Sequence, residues 1–215
     1  MLKYIAFRNF IFKETFIMRL FFLLLLLPFL ASAKIDIALQ SQLLQMAEVD
    51  QAVRKKLSDA GWHDASEELR NKVITIDKQN TLKLKALLSG RTWFTKSEVG
   101  EDGMSAAFLI VQHSADYKFK EKMLPLLKKS YTNGEGITGQ EVALLTDRIR
   151  INKGQKQLYG TQADISTGKV IFEPIENPDT VDSRRARMKM PSLALYKKLL
   201  EKMYGLKEHP DIDLD

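Results

Sequence analysis

The 215-residue chain is 45% hydrophobic and 28% charged, a globular composition with length for one ordinary domain and its core. Of its formal charge of +6, the first 33 residues supply half, through Lys3, Arg8, Lys13 and Arg19 against Glu14. The +3 that remains is too weak for a dedicated nucleic-acid binder, and with no cysteine the chain has no disulfide, thiol nucleophile or cysteine-linked lipid.

The N-terminus has the form of a targeting segment. Met18-Arg19 precedes an uncharged run from Leu20 to Ala33, and Ala31-Ser32-Ala33 has the small-x-small pattern of a signal-peptidase site. Met18 is the more natural start. A permanent span needs about 20 apolar residues, so residues 1–33 are expected to be a cleaved signal peptide rather than an anchor. The mature protein, starting near Lys34, is expected in the periplasm or outside the cell, with no stable membrane span.

Apolar spacing then predicts a helix from Ile35 to Ala60, with Leu39, Leu43, Met46, Val49, Val53 and Leu57 in one stripe. Asp50 and Arg54, four apart, form a solvated pair on this reading. Asp64 and Glu67 offer a capping box for a second helix to about Leu88. There Asn80 interrupts the apolar stripe and lies within reach of Asp77. The segment from Trp93 to Gly103 is expected to be a loop. Met104 to Val111 is apolar nearly all round, the mark of a buried central helix. After Gln112-His113, Asp116 starts another helix with Phe119, Met123, Leu126 and Leu127 inward and a kink expected at Pro125. Thr138 caps a helix from Gly139 to about Asn152.

Beyond Gly154 the period changes. Leu158 to Ile165 and Lys169 to Ile175 flank Ser166-Thr167-Gly168, a three-residue hairpin loop. Asp179 and Asp182 are placed to cap a short helix bearing Arg184 and Arg185. A last helix carries Leu193, Tyr196, Leu199, Leu200 and Met203. The fold class is therefore mainly α, a single helical domain over 34–208 with one small β-hairpin in the C-terminal third, followed by an acidic tail at 209–215.

Several chemistries find no support. No glycine-rich phosphate loop and no G-x-S-x-G elbow occur. His63, His113 and His209 form no H-x-x-x-H pair, and Asp211, Asp213 and Asp215 lack the rest of a calcium loop. No metal and no cofactor are expected.

Four motifs stand out: Val111-Gln112-His113-Ser114-Ala115-Asp116, Thr146-Asp147-Arg148, Gln157-Leu158-Tyr159-Gly160-Thr161-Gln162 and Val181-Asp182-Ser183-Arg184-Arg185. In this order and spacing the chain resembles a bacterial family known as domain of unknown function 6624, over about Leu43 to Tyr196. Weaker matches are Asp50-Gln51 with Arg54, and Asp77 with Asn80-Thr81. The chain departs from the pattern at Thr92-Trp93-Phe94, where the family tends to have Gly-Trp-Pro, and at Lys189, where it tends to have glycine. The resemblance implies a single domain with a shared polar constellation, and no reaction.

Each candidate has two readings. His113 with Asp116 is an acid–base pair, or a helix C-terminal cation followed by an N-cap. Tyr159 and Gln162 fix a polar ligand, or brace the hairpin. Asp182, Arg184 and Arg185 are a cap with ion pairs to Asp147, or a fork presented to a carboxylate or phosphate. On the ligand reading, Gln112, Asp147, Arg148, Gln157, Tyr159, Thr161, Gln162, Asp182, Arg184 and Arg185 line one anion-accepting pocket. Without a nucleophile or metal signature, the sequence favours a non-catalytic module that binds a small anion or an envelope protein. The alternative is a cell-envelope hydrolase with catalytic candidates His113, Asp116 and Tyr159, His113 being the general base.

Overall fold

The computed structural model describes residues 35–61 and 64–208. The expected targeting segment, the expected start at Lys34, His63, His209 and the acidic tail lie outside the described residues. The chain is mainly α with one small antiparallel hairpin. Helices α1 (Ile37–Asp59), α2 (Glu67–Leu87), α3 (Lys96–His113), α4 (Tyr117–Thr132) and α5 (Gly139–Asn152) come first. Strands β1 (Ala163–Asp164) and β2 (Ile171–Phe172), a 3-10 turn (Pro178–Thr180), α6 (Val181–Arg187) and α7 (Leu193–Met203) follow. Among the described residues no helix is long and apolar enough to cross a membrane.

Helix α3 is central, as its all-round apolar sequence predicts. Met104, Ala106, Ala107, Phe108, Ile110 and Val111 are buried in one core with Leu43, Leu84, Leu127 and Leu145. The helix starts earlier than expected. Thr95 caps it by accepting from Glu98 N at 3.2 Å, and the glycine-rich stretch read as a loop is instead a break within the helix at Gly100, whose φ is +69°. Helix α5 has the expected limits, with a complete capping box between Thr138 and Glu141. Helix α2 begins two residues later than predicted, capped by Ser66 rather than Asp64. Helix α4 runs on through Pro125.

Two apolar stripes are rotated from their predicted positions. In α1 Val49 is exposed and Asp50 is buried in its place. In α7 Leu199 and Met203 face outward while Lys197 and Glu201 are buried; these two form an i,i+4 ion pair.

The hairpin is shorter than the periodicity suggests. Only Ala163 pairs with Phe172 and Asp164 with Ile171. The N–H groups that would extend β1 upstream are taken by side chains, as the next section describes. Val170, Phe172, Ile175, Val181, Leu193 and Leu200 form a second small core beneath it. Lys189, the family's glycine position, has φ +56°. It follows Met188, the C-cap of α6, where a left-handed residue lets Met190 N donate back to Arg185 O at 3.0 Å.

Candidate functional site

The motif residues separate into two groups. The first is a clasp around residues 157–162. Asp147, fully buried on α5, accepts from the backbone N–H of Leu158 at 2.7 Å, of Tyr159 at 3.1 Å and of Thr161 at 3.0 Å, and from the Thr161 hydroxyl at 2.9 Å. Gln157 Nε2 donates to the carbonyls of Gln162 and Glu173, and its Oε1 accepts from Gln162 N at 2.9 Å. Arg184 donates to the carbonyls of Leu158, Glu176 and Asn177. Arg185, fully buried, donates to the carbonyls of Pro191 and Tyr159, and its guanidinium lies 4.7 Å from the Tyr196 ring centroid. Burial holds the Asp147 carboxyl above its usual range, against the pull of these hydrogen bonds. Burial likewise lowers the Arg185 guanidinium.

These partners differ from the expected ones. Neither Arg184 nor Arg185 pairs with Asp147; both bind carbonyl oxygens. Asp182 does not cap α6 but accepts from Leu193 N at 2.7 Å, at the start of α7. Tyr159 is half-buried and takes part through its backbone. Its hydroxyl has no hydrogen bond among the described residues, and burial, with Asp147 next, raises its pKa.

The second group gathers at the C-terminal end of α3. His113 Nδ1 lies 3.0 and 2.9 Å from the two carboxylate oxygens of Asp50. Arg54 Nε lies 2.9 Å from the same Nδ1, and Arg54 Nη2 is 2.6 Å from Asp77 Oδ1. Asp50 is 1% exposed, whereas the His113 side chain keeps 20% of its surface. Burial alone would raise the Asp50 carboxyl. The hydrogen bond and charge of His113, then Arg54 and Gln51, outweigh it and hold Asp50 below the usual range. Asp77 is raised, by burial that Arg54 only partly offsets. Gln112 turns its amide oxygen to Arg148, accepting from Nε at 2.9 Å and Nη2 at 3.2 Å.

Asp116, the expected partner of His113, instead caps α4 at Phe119 N and pairs with Lys85 at 2.6 Å. It lines a groove of about 970 Å³ with Lys85, Arg91, Lys118, Phe119 and Met123, which neither His113 nor Arg148 lines.

Asp50, Asp77 and His113 each offer a ligand atom within 4.8 Å of the others. The Arg54 guanidinium bonds to all three, so a protein cation already holds the position a metal would take.

Sequence reasoning found His113, Gln112 and Arg148 but set Asp50 and Arg54 in solvent. The signal for them was the weak Asp50-Gln51 and Arg54 motif match.

No curated protein and no solved structure matches the chain. Residues 37–209 match a family described as "Family of unknown function (DUF6624)", and since this is most of the chain, the protein belongs to that family.

Proposed function

We propose that the protein is exported and that its site transfers a proton to or from a small bound ligand, with His113 as the exchanging group. One observation carries this: His113 Nδ1 faces both an acceptor, Asp50, at 2.9 Å and a donor, Arg54 Nε, at 2.9 Å. A neutral imidazole has one N–H and one lone pair. With the proton on Nδ1 the ring donates to Asp50, and Nε2 is a base. With the proton on Nε2 the ring accepts from Arg54 at Nδ1. When the ring with its proton on Nδ1 takes a second proton at Nε2 it becomes an imidazolium whose Nδ1–H still donates to Asp50, so Nε2 can take up a proton as a base and return it as an acid without moving a side chain.

This favours the hydrolase reading over a non-catalytic module. Water is then the nucleophile: His113 Nε2 withdraws its proton as the oxygen attacks, and returns the proton to the leaving group. Arg148, held by Gln112, supplies fixed positive charge nearby. Export rests on the run from Leu20 to Ala33.

The test uses protein recovered from the periplasm, with its first residue read at or near Lys34. It is assayed against nitrophenyl esters, nitrophenyl phosphates and dye-labelled cell-wall polymer. His113→Gln should lower turnover by about 10²–10⁴-fold at an unchanged melting temperature. A variant as active as the parent, or no turnover on any of these substrates, would count against the proposal.

A further inference from the structure

We propose that the groove between α2 and α4 is a docking surface for the acidic segment 209–215 of a second copy of this chain. The groove, of about 970 Å³, lies between the C-terminal end of α2, the turn after it and α4. Its floor and rim differ in character. Leu88, Phe119 and Met123 form the floor, each at most 9% exposed. Lys85, Arg91, Lys118 and Lys122 stand exposed around it. Two of these cations are engaged: Lys85 pairs with Asp116 at 2.6 Å and lies 5.2 Å from the Phe119 ring centroid, and Arg91 pairs with Glu98. The Lys118 and Lys122 side chains make no hydrogen bond or ion pair among the described residues.

Exposed lysines are ordinary, and an apolar floor alone would suit many occupants. Together they select a segment that carries carboxylates and apolar side chains at once: charge sets which partner fits, and burial of apolar surface supplies the affinity. The four cations of the lining against the one carboxylate of Asp116 leave the groove at +3. The chain holds a matching segment. Asp211, Asp213 and Asp215 alternate with Ile212 and Leu214 and carry −3. No other stretch of the sequence alternates three acids in this way. In an extended backbone successive side chains point to opposite sides, so Ile212 and Leu214 enter the floor together while the three carboxylates line up along the cationic rim.

The root of this segment is tied to a different core from the groove. Leu206 packs against the small cluster beneath the hairpin, and its N–H donates to Glu201 O at 2.8 Å. Leu88, Phe119 and Met123 belong instead to the main core around α3. The occupant is accordingly a neighbour's segment rather than the chain's own. Neither His113 nor Arg148 lines the groove, so this inference does not rest on the acid–base reading.

The test is sedimentation of the mature chain over a range of concentrations up to millimolar, with charge-reversed variants. The parent should self-associate, and more weakly as salt rises from 0.1 to 1 M, where the screening length falls from about 10 to about 3 Å. One variant reverses the rim, Lys118→Glu with Lys122→Glu. The other reverses the segment, Asp211→Lys with Asp213→Lys. Lys118 and Lys122 are exposed, so the rim variant should melt with the parent. Each variant alone should associate at least about tenfold more weakly than the parent. Mixed together they should associate again, because each then supplies the partner the other lacks. Leu214→Ser should weaken the parent's association without changing its salt dependence. A parent that stays monomeric at millimolar concentration overturns the proposal, and that result includes a segment docked in its own chain. Variants that associate as the parent does, or a mixture no stronger than its components, overturn it as well.

Discussion

Removing the Asp147 carboxylate should release the loop it holds. Its oxygens satisfy three backbone N–H groups and one hydroxyl at 2.7–3.1 Å. In Asp147→Ala all four lose their acceptor. The Thr161 hydroxyl can turn elsewhere, but the N–H groups of Leu158, Tyr159 and Thr161 cannot. Each orphaned buried donor costs about 1–3 kcal/mol. Some of this is recovered because a buried charge disappears with the carboxylate, so a net loss of about 3–5 kcal/mol is expected. Asp147→Asn should lose less, about 1–3 kcal/mol. Its oxygen can keep Leu158 and Tyr159, while its amide NH₂ opposes only Thr161 N. The sign with pH follows from the raised Asp147 carboxyl. A raised carboxyl favours the folded state fully below its unfolded value, and that share is lost as pH rises through the folded value. The gap between parent and Asp147→Asn should therefore narrow with rising pH. Urea unfolding followed by far-ultraviolet circular dichroism measures all of this. An Asp147→Ala loss under about 1 kcal/mol, or an Asn variant less stable than the Ala variant, would refute the clasp.

Gly160→Val should lower stability by about 2–4 kcal/mol: φ is +65°, and a Cβ there would lie 2.7 Å from Leu193 Cδ1 and 2.9 Å from Ile175 Cδ1. An unchanged melting temperature would show that this close approach is not needed. Lys189→Gly should raise stability by up to about 1 kcal/mol by relieving the left-handed backbone at φ +56°. A loss of stability in the same melt would show that the lysine side chain contributes more than its backbone strain removes.

Much of the fold can be read from spacing because apolar periodicity and caps are local. Thr138 with Glu141, and the apolar run from Met104 to Val111, each contain their own explanation. What could not be read was where polar groups replace apolar ones. Val49 and Asp50 are adjacent, and the periodic stripe admits either. Only the arrival of His113, 63 positions away, makes Asp50 the buried one. The same holds for Lys197 and Glu201, whose mutual pairing allows burial that hydropathy argues against. The hairpin was overestimated because strand propensity cannot register that Asp147 and Gln157 take the N–H groups of Leu158, Tyr159, Thr161 and Gln162. For Arg184 and Arg185, charge suggested carboxylates, whereas carbonyl oxygens of a tight loop supply a fixed acceptor array that composition does not reveal.

The division of the motifs into clasp and site explains why Asp147 and Arg148 stand side by side. Successive residues on an α-helix point about 100° apart, so α5 presents its carboxylate to the loop and its guanidinium to Gln112 on α3. Any rotation of α5 that moved Arg148 would pull Asp147 away from its three backbone donors, and the clasp therefore fixes the helix about its axis. Arg185 and Arg184 hold the far side of the same loop through its carbonyls, so its N–H and C=O groups are bound from opposite directions. A loop tied in this way does not need to touch a ligand to matter for one. Its rigidity sets the angle at which Arg148 meets Gln112, one residue from the ring of His113.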